Sequence, residues 1–259
     1  MRILLLTRQF IYDPKHQTSG VYKRLTMFIE AITRIADLDI LCYVNPEIRF
    51  SREEIADFEK TFSDYWGSKI RIFTCPINEY RDETVLASGL SYLKGIYSFF
   101  NQRLYYEASG RDQVRALEIR LDTRPDAVFA HRLAGMSPIL LTGKPLPPVF
   151  FDLDDIEHVL LGRFVDNGGT PKKLFYLHFP ALYWGEDKAM RLAAKTFVCS
   201  EGDREYLSRR FKVSGVVAIP NAVRIPDSRP LTTEPTILFL GAFFTQNVDA
   251  ARLLIDSIW

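Results

Sequence analysis

Cysteine is scarce. The chain has three in 259 residues, Cys42, Cys75 and Cys199. They lie far apart and form no C-x-x-C pair, which excludes a disulfide framework and points to buried thiols in a reducing compartment. A surplus of charge of either sign is also missing. The 33 basic and 32 acidic residues leave a formal charge of +1, so no electrostatic footprint for nucleic acid or another acidic polymer exists. No apolar run approaches the roughly 18 residues that span a bilayer. The opening MRILLLTRQF breaks at Thr7 and Arg8 before a signal-peptide core can form, and reads as a first strand. The expected location is the cytoplasm, at most peripheral to a membrane. Glycine is thin where dinucleotide enzymes need it: the G-x-G-x-x-G fingerprint is absent, which argues against an NAD or FAD enzyme, and no cofactor is expected.

What remains is an apolar content of 47%, enough to fill a real core, in an alternation of strand-like and helix-like stretches. Strands are read at residues 3–6, 38–44, 70–75, 126–130 and 149–151. The first is followed by a polar loop and then by Ser19-Gly20 in front of a periodic helix, with Val21, Leu25, Phe28, Ile32 and Ile35 as its apolar row and Ser19 as N-cap. Ser51 and Glu54 form a capping box for the next helix. Residues 196–199 form a strand that feeds a helix over 202–210, and residues 216–219 form another strand that stops at Pro220-Asn221. Strand, helix, strand requires parallel pairing with a crossover. The expected fold class is therefore α/β: a Rossmann-like parallel sheet with helices on both faces.

Ligands of open parallel sheets sit outside the carboxyl ends of the strands. That rule nominates the start of the first helix, Ser19 and Gly20, together with His131, Ser200 and Asn221. It also nominates the acidic knot Asp152-Leu-Asp154-Asp155-Ile-Glu157-His158, whose carboxylates raise one another's pKa and need compensation. A metal, a positive ligand, nearby Arg and Lys side chains or exposure to water would each supply it. Two aromatic stretches interleaved with basic residues, 86–106 and 172–184, read either as helices buried on two sides or as surfaces for a membrane or a lipid-linked acceptor.

Residues 224–235, rich in proline, threonine and aspartate, read as a linker. Beyond them a strand over 236–240 ends at Gly241, and Asn247 is read as the cap of a helix over 248–258. The expected organisation is a first domain over 1–223, the linker, and the start of a second domain over 236–259. A lone strand and helix build no core, so the chain reads as a fragment or as a short natural protein that serves as a binding module.

The segment FDLDDIEH with Glu186 further on, then SE-x-D-R-x-x-L and PN-A-V, and then ILFLGAFFTQNVDAARLLID, in that order, resemble family 4 glycosyltransferases of the two-Rossmann GT-B type over the whole chain. The resemblance implies a retaining, metal-free transfer of a sugar from a nucleoside-diphosphate sugar to a carbohydrate or lipid-linked acceptor in bacterial envelope or polysaccharide biosynthesis. In it, Ser19, Gly20, His131, Asp152, Asp155, Ser200 and Asn221 line the cleft, His131 is the catalytic candidate, and Gly241 approaches the donor diphosphate. Two rivals remain for the acidic knot. VFFDLDDI also resembles the nucleophile motif of haloacid-dehalogenase-type phosphatases, with Asp152 as nucleophile and Asp154 as acid/base beside Mg²⁺. Asp152-x-Asp154 also satisfies the D-x-D motif of single-domain, metal-dependent glycosyltransferases.

Overall fold

Successive residues of the first strand divide between two cores, and that division sets the architecture. Leu4 and Leu6 join one apolar cluster while Ile3 and Leu5 join another, the period of two expected of a strand covered on both faces. The computed structural model describes residues 1–15, 19–77, 110–166, 179–222 and 245–258. In chain order the elements are β1 (Arg2–Thr7), α1 (Gly20–Thr33), β2 (Asp37–Val44), α2 (Arg52–Trp66) and β3 (Ile70–Pro76), then α3 (Arg111–Leu121), β4 (Ala127–His131), α4 (Arg132–Leu141) and β5 (Val149–Asp154). They continue with α5 (Glu157–Asp166), α6 (Phe179–Leu192), β6 (Lys195–Val198), α7 (Glu201–Phe211) and β7 (Val216–Ala218).

All seven strands pair in parallel, in the order β3-β2-β1-β4-β5-β6-β7. Helices α1 and α2 cover one face through Leu25, Phe28, Ile29 and Phe62. On the other face α3, α4, α6 and α7 contribute Leu117, Met136, Leu182 and Leu207. This is a Rossmann-like doubly wound sheet. The chain moves outward from β1 to β3, returns to the middle, and moves outward the other way from β4, so the topological switch point lies between β1 and β4.

Residues Met1–Ala222 form one unit and Val223–Trp259 another. Within the second, α8 (Thr245–Leu253) runs into a wider π-type turn, Leu254–Ile258. Asn247 therefore lies inside that helix rather than capping it. The expected strand over 236–240 and Gly241 lie outside the described residues, as do 86–106 and most of 172–184. The described end of the latter turns inward, with Leu182 buried and the Tyr183 ring 4.7 Å from that of Phe211. No described helix is long and apolar enough to cross a membrane.

Local signals account for the helix starts. Ser19 accepts from the Tyr22 N–H, and Ser51 and Glu54 close the capping box of α2. Two expectations change. Ile35 is 65% exposed, and the buried row of α1 runs instead through Arg24, Leu25, Phe28, Ile29 and Ile32. Strand β5 does not stop at Phe151 but carries Asp152 and Asp154 into the sheet, because a cation from α1 meets them there.

Gly135, in the first turn of α4, is fixed by packing. A Cβ there would lie 2.5 Å from the carbonyl oxygen of Leu6 and 3.2 Å from its carbon, and backbone cannot yield as a flexible side chain does. Gly135→Ala is expected to cost about 1–3 kcal/mol, read as a lower urea midpoint. The displaced β1 would carry Thr7 with it.

Candidate functional site at the strand ends

The switch point is bridged by side chains. Thr7 closes β1 and His131 closes β4, and Thr7 Oγ1 lies 3.0 Å from His131 Nδ1. The Gln9 N–H donates to the same Oγ1 at 3.0 Å; a threonine proton turned to Nδ1 places the imidazole proton on Nε2, whereas a protonated Nδ1 donates to the second lone pair of Oγ1. Nε2 is buried with no hydrogen-bond partner, and its nearest anion, Asp152 Oδ2, is 4.0 Å away. The ring is 1% exposed yet keeps this nitrogen unused.

Burial, with Arg132 and Arg24 adding to it, pushes the His131 pKa down to about 3. The ring is therefore neutral at physiological pH, a hydrogen-bonding group rather than a cation. A folded pKa below the unfolded value of about 6.5 means that the unfolded chain takes up the proton first. The stability that His131 contributes is complete above about pH 6.5 and is lost as pH falls toward 3. In a histidine NMR titration between pH 5 and 8, the His131 ring resonances are expected not to move.

Beneath this pair lies the compensation that the acidic knot requires. Arg24 and Asp152 are both fully buried. The arginine Nε donates to Asp152 Oδ1 and Oδ2 at 2.9 and 3.1 Å, and Nη2 donates to Oδ1 at 2.6 Å. Its Nη1 reaches the Ile219 carbonyl at 2.7 Å and Asn221 Oδ1 at 3.0 Å, just beyond β7. One guanidinium thus ties α1, β5 and the exit of β7 together. Burial raises the Asp152 carboxyl above its ordinary range, and the hydrogen bonds and charge of Arg24 oppose that rise. Asp154 lies 3.5 Å from Arg24 Nε and accepts from the Cys199 thiol at 3.2 Å.

The outer carboxylates have a separate cation. Arg132 Nη2 lies 3.1 Å from Asp155 and 3.2 Å from Glu157. Arg132 and Asp154 both have positive φ, 59° and 60°, a conformation uncommon outside glycine. Two such residues at neighbouring strand ends mark a site whose backbone is held against its preference. A further buried group starts α5: Glu186 Oε1 accepts from the Glu157 N–H at 2.6 Å, while its Oε2 meets His158 Nδ1.

Of the residues nominated by sequence, His131, Asp152, Asp155, Ser200 and Asn221 converge on the carboxyl ends of β4 through β7, and Ser19 and Gly20 begin the helix after β1. Their roles differ. Asp152 is enclosed and engaged by Arg24, so it supports the site from below. Both Asp152 oxygens are taken by Arg24, so the carboxylate is not presented as the free nucleophile that the phosphatase reading assigns to it. The Ser200 hydroxyl accepts from the Asp203 N–H at 3.1 Å and donates to its Oδ2 at 2.6 Å, capping α7. Asn221 and Asp155 are exposed. Gly20 has no atom within 4 Å of where a Cβ would sit, so packing alone does not demand glycine there. Among the described residues, no group of three or more His, Cys, Asp or Glu side chains is placed to hold a metal ion.

Sequence reading missed Thr7 and Arg24. The signal for Arg24 was present: a basic residue four before Phe28 on the buried row of α1, in a chain whose acidic knot lacked a counter-charge.

No protein-family model matches the chain, and no curated protein matches it in sequence. Among solved structures it is similar to UGT89C1 of Arabidopsis thaliana, complexed with UDP-L-rhamnose, at 12% identity and a TM-score of 0.45 over 99% of this chain and 62% of that one. It is also similar to a UDP-glucosyltransferase from Polygonum tinctorium, at 14% identity and 0.42 over 90% and 55%. A third is UGT2 of Phytolacca americana, complexed with UDP-2fluoro-glucose and pterostilbene, at 11% and 0.40 over 88% and 54%. The chain spans about half to three-fifths of the length of these structures. A likeness this loose assigns no chemistry, which is argued from the site itself.

Proposed function

We propose that the chain is the acceptor-side domain, with the beginning of the donor-binding domain, of a family 4 GT-B glycosyltransferase. It moves a sugar from a nucleoside-diphosphate sugar to a carbohydrate or lipid-linked acceptor in bacterial envelope or polysaccharide biosynthesis, with retention of configuration. The observation that carries this reading is the neutral His131 at the switch point, its Nε2 unpartnered beside the buried Arg24–Asp152 pair. The motif order FDLDDIEH, SE-x-D-R and PN-A-V supports it as well.

In this reading His131 donates a hydrogen bond to a substrate oxygen and holds it without adding net charge. Thr7 fixes the tautomer, and Arg24 keeps the floor of the site from becoming anionic. The first turn of α1 offers free N–H groups to the same cleft, and Asp155 with Arg132 forms its acceptor-side rim. Arg24 and Arg132 already pair with the four carboxylates, and the reading assigns them no metal. Positioning and hydrogen bonds aimed at developing charge then carry catalysis, with the diphosphate held by the second domain near Gly241.

The test is release of nucleoside diphosphate from UDP-, GDP- and dTDP-sugars by the full-length protein that carries this chain. Bacterial membrane lipid and simple glycosides serve as acceptors. Acceptor-dependent release is expected, and His131→Ala is expected to lower kcat by about 100-fold or more. No release with any donor, or an unaffected His131→Ala variant, overturns the reading.

A further inference from the structure

Behind the start of α5 runs a chain of three ionisable side chains that ends at the surface. Glu186 is fully buried, and its Oε2 meets His158 Nδ1. His158 is buried as well, and its Nε2 lies 2.9 Å from the hydroxyl of Tyr206 on α7. Tyr206 itself is 40% exposed. Carboxylate, imidazole and hydroxyl in that order are the parts of a nucleophile, its base and the group that orients the base. The 2.9 Å separation is within the reach of a general base.

Packing fixes the direction of this chain. The imidazole stacks on the Tyr206 ring at 5.9 Å and meets the rings of Phe179, Tyr183 and Phe211 edge to face, so it does not turn away from the phenol. An ionised carboxylate only accepts. Glu186 therefore keeps the ring proton on Nδ1 and leaves the Nε2 lone pair facing the phenol O–H. Burial raises the Tyr206 pKa above its ordinary value, and Arg210 opposes the rise. The phenol is thus protonated at rest, and a base must take its proton during any reaction. One turn further along α7, Arg210 sets its guanidinium 5.2 Å from the centre of the Tyr183 ring, the same ring that packs on His158. A cation in that place suits a group that is negative before and after transfer, and a phosphoryl group is such a group.

We propose that Tyr206 is a nucleophile activated by His158 and Glu186, and that its hydroxyl is a site of phosphoryl transfer from a phosphoric anhydride. The phenol oxygen attacks phosphorus, and the bond from phosphorus to the bridging oxygen breaks. The leaving phosphate keeps that electron pair, while the phenol proton passes to His158 Nε2. Glu186 then holds an imidazolium in place of a neutral ring. The product lacks the O–H that Nε2 accepts, so modification loosens the contact between α7 and α5. The inference stands apart from the glycosyltransferase reading, since it uses neither His131 nor a sugar donor.

The experiment treats this 259-residue chain with diisopropyl fluorophosphate, a phosphorus electrophile that releases fluoride, and follows each tyrosine by peptide mass spectrometry. Tyr12 and Tyr65 are the controls, because at 53% and 42% exposed they are more open than Tyr206. Tyr206 is nevertheless expected to be labelled about 100-fold faster than either, the lower end of what a placed base supplies. Glu186→Gln turns an NH2 group toward Nδ1, moves the ring proton to Nε2 and so removes the base. That variant is expected to bring Tyr206 down to the rate of the controls. Arg210→Gln is expected to slow Tyr206 about fivefold, as the loss of one solvated charge does. Circular dichroism of each variant checks that the fold is intact. Labelling of Tyr206 no faster than that of Tyr12 and Tyr65 in the wild-type chain overturns the proposal, whether or not the variants fold. Fast labelling that persists in folded Glu186→Gln overturns it as well. An unchanged rate in Arg210→Gln overturns the phosphoryl assignment.

Discussion

Arg24→Met is expected to lower the unfolding free energy of the first unit by about 3–5 kcal/mol, the cost of leaving a buried charge without its partner. Asp152 has no water to turn to. Its side chain is fully buried, and Arg24 meets both of its oxygens. The same substitution strands the Ile219 carbonyl and frees Asn221 at the exit of β7. Removing both charges is a different matter, since an apolar or neutral pair avoids the desolvation cost that the ions carry. The double variant Arg24→Met with Asp152→Asn should therefore recover at least half of the loss. Urea unfolding of wild type, both single variants and the double variant gives the coupling directly. Additive losses would show that the pair is not the unit of stabilisation argued above.

Much of the sheet was readable because its causes are local. Apolar runs marked the strands, and Ser19 and Ser51 with Glu54 marked two helix starts, each through hydrogen bonds within three residues. The candidate site was readable only as a set of strand ends. Its working contacts join residues far apart in the chain: Arg24 and Asp152 are separated by 128 positions, and Thr7 and His131 by 124. Nothing in local spacing announces such a partner. For the same reason β5 was read too short. Asp is unfavourable inside a strand, and only the arginine on a distant helix reverses that preference. Ile35 failed in the opposite direction: periodicity placed it on the buried row, but α1 ends at Thr33 and the chain has already turned outward.

Glu186→Ala should be nearly as damaging, for a reason that begins at a helix start. The first N–H groups of α5 have no intrahelical partners, and Glu186 reaches across from α6 to accept two of them, from Glu157 at 2.6 Å and His158 at 3.3 Å. Its other oxygen takes His158 Nδ1, and His158 Nε2 lies 2.9 Å from the Tyr206 hydroxyl. Burial raises the Glu186 carboxyl above its ordinary range, and the His158 hydrogen bond is the largest influence against that rise. Deleting it orphans two N–H groups and a buried imidazole, a loss of about 3 kcal/mol or more.

Glu186→Gln distinguishes charge from geometry. The amide oxygen can still accept from α5, but its NH2 group now faces Nδ1. His158 must therefore move its proton to Nε2 and donate to Tyr206. The ¹⁵N shifts of the His158 ring are expected to exchange tautomer character, with a smaller stability loss than in Glu186→Ala. Unchanged ring shifts in Glu186→Gln would contradict the hydrogen-bond direction assigned here. The consequence reaches the candidate site because Glu157, the first residue of α5, and Asp155 just before it both contact Arg132. An unanchored α5 would release the rim of carboxylates around that arginine, so in the proposed function Glu186 is a positioning residue for the acceptor side.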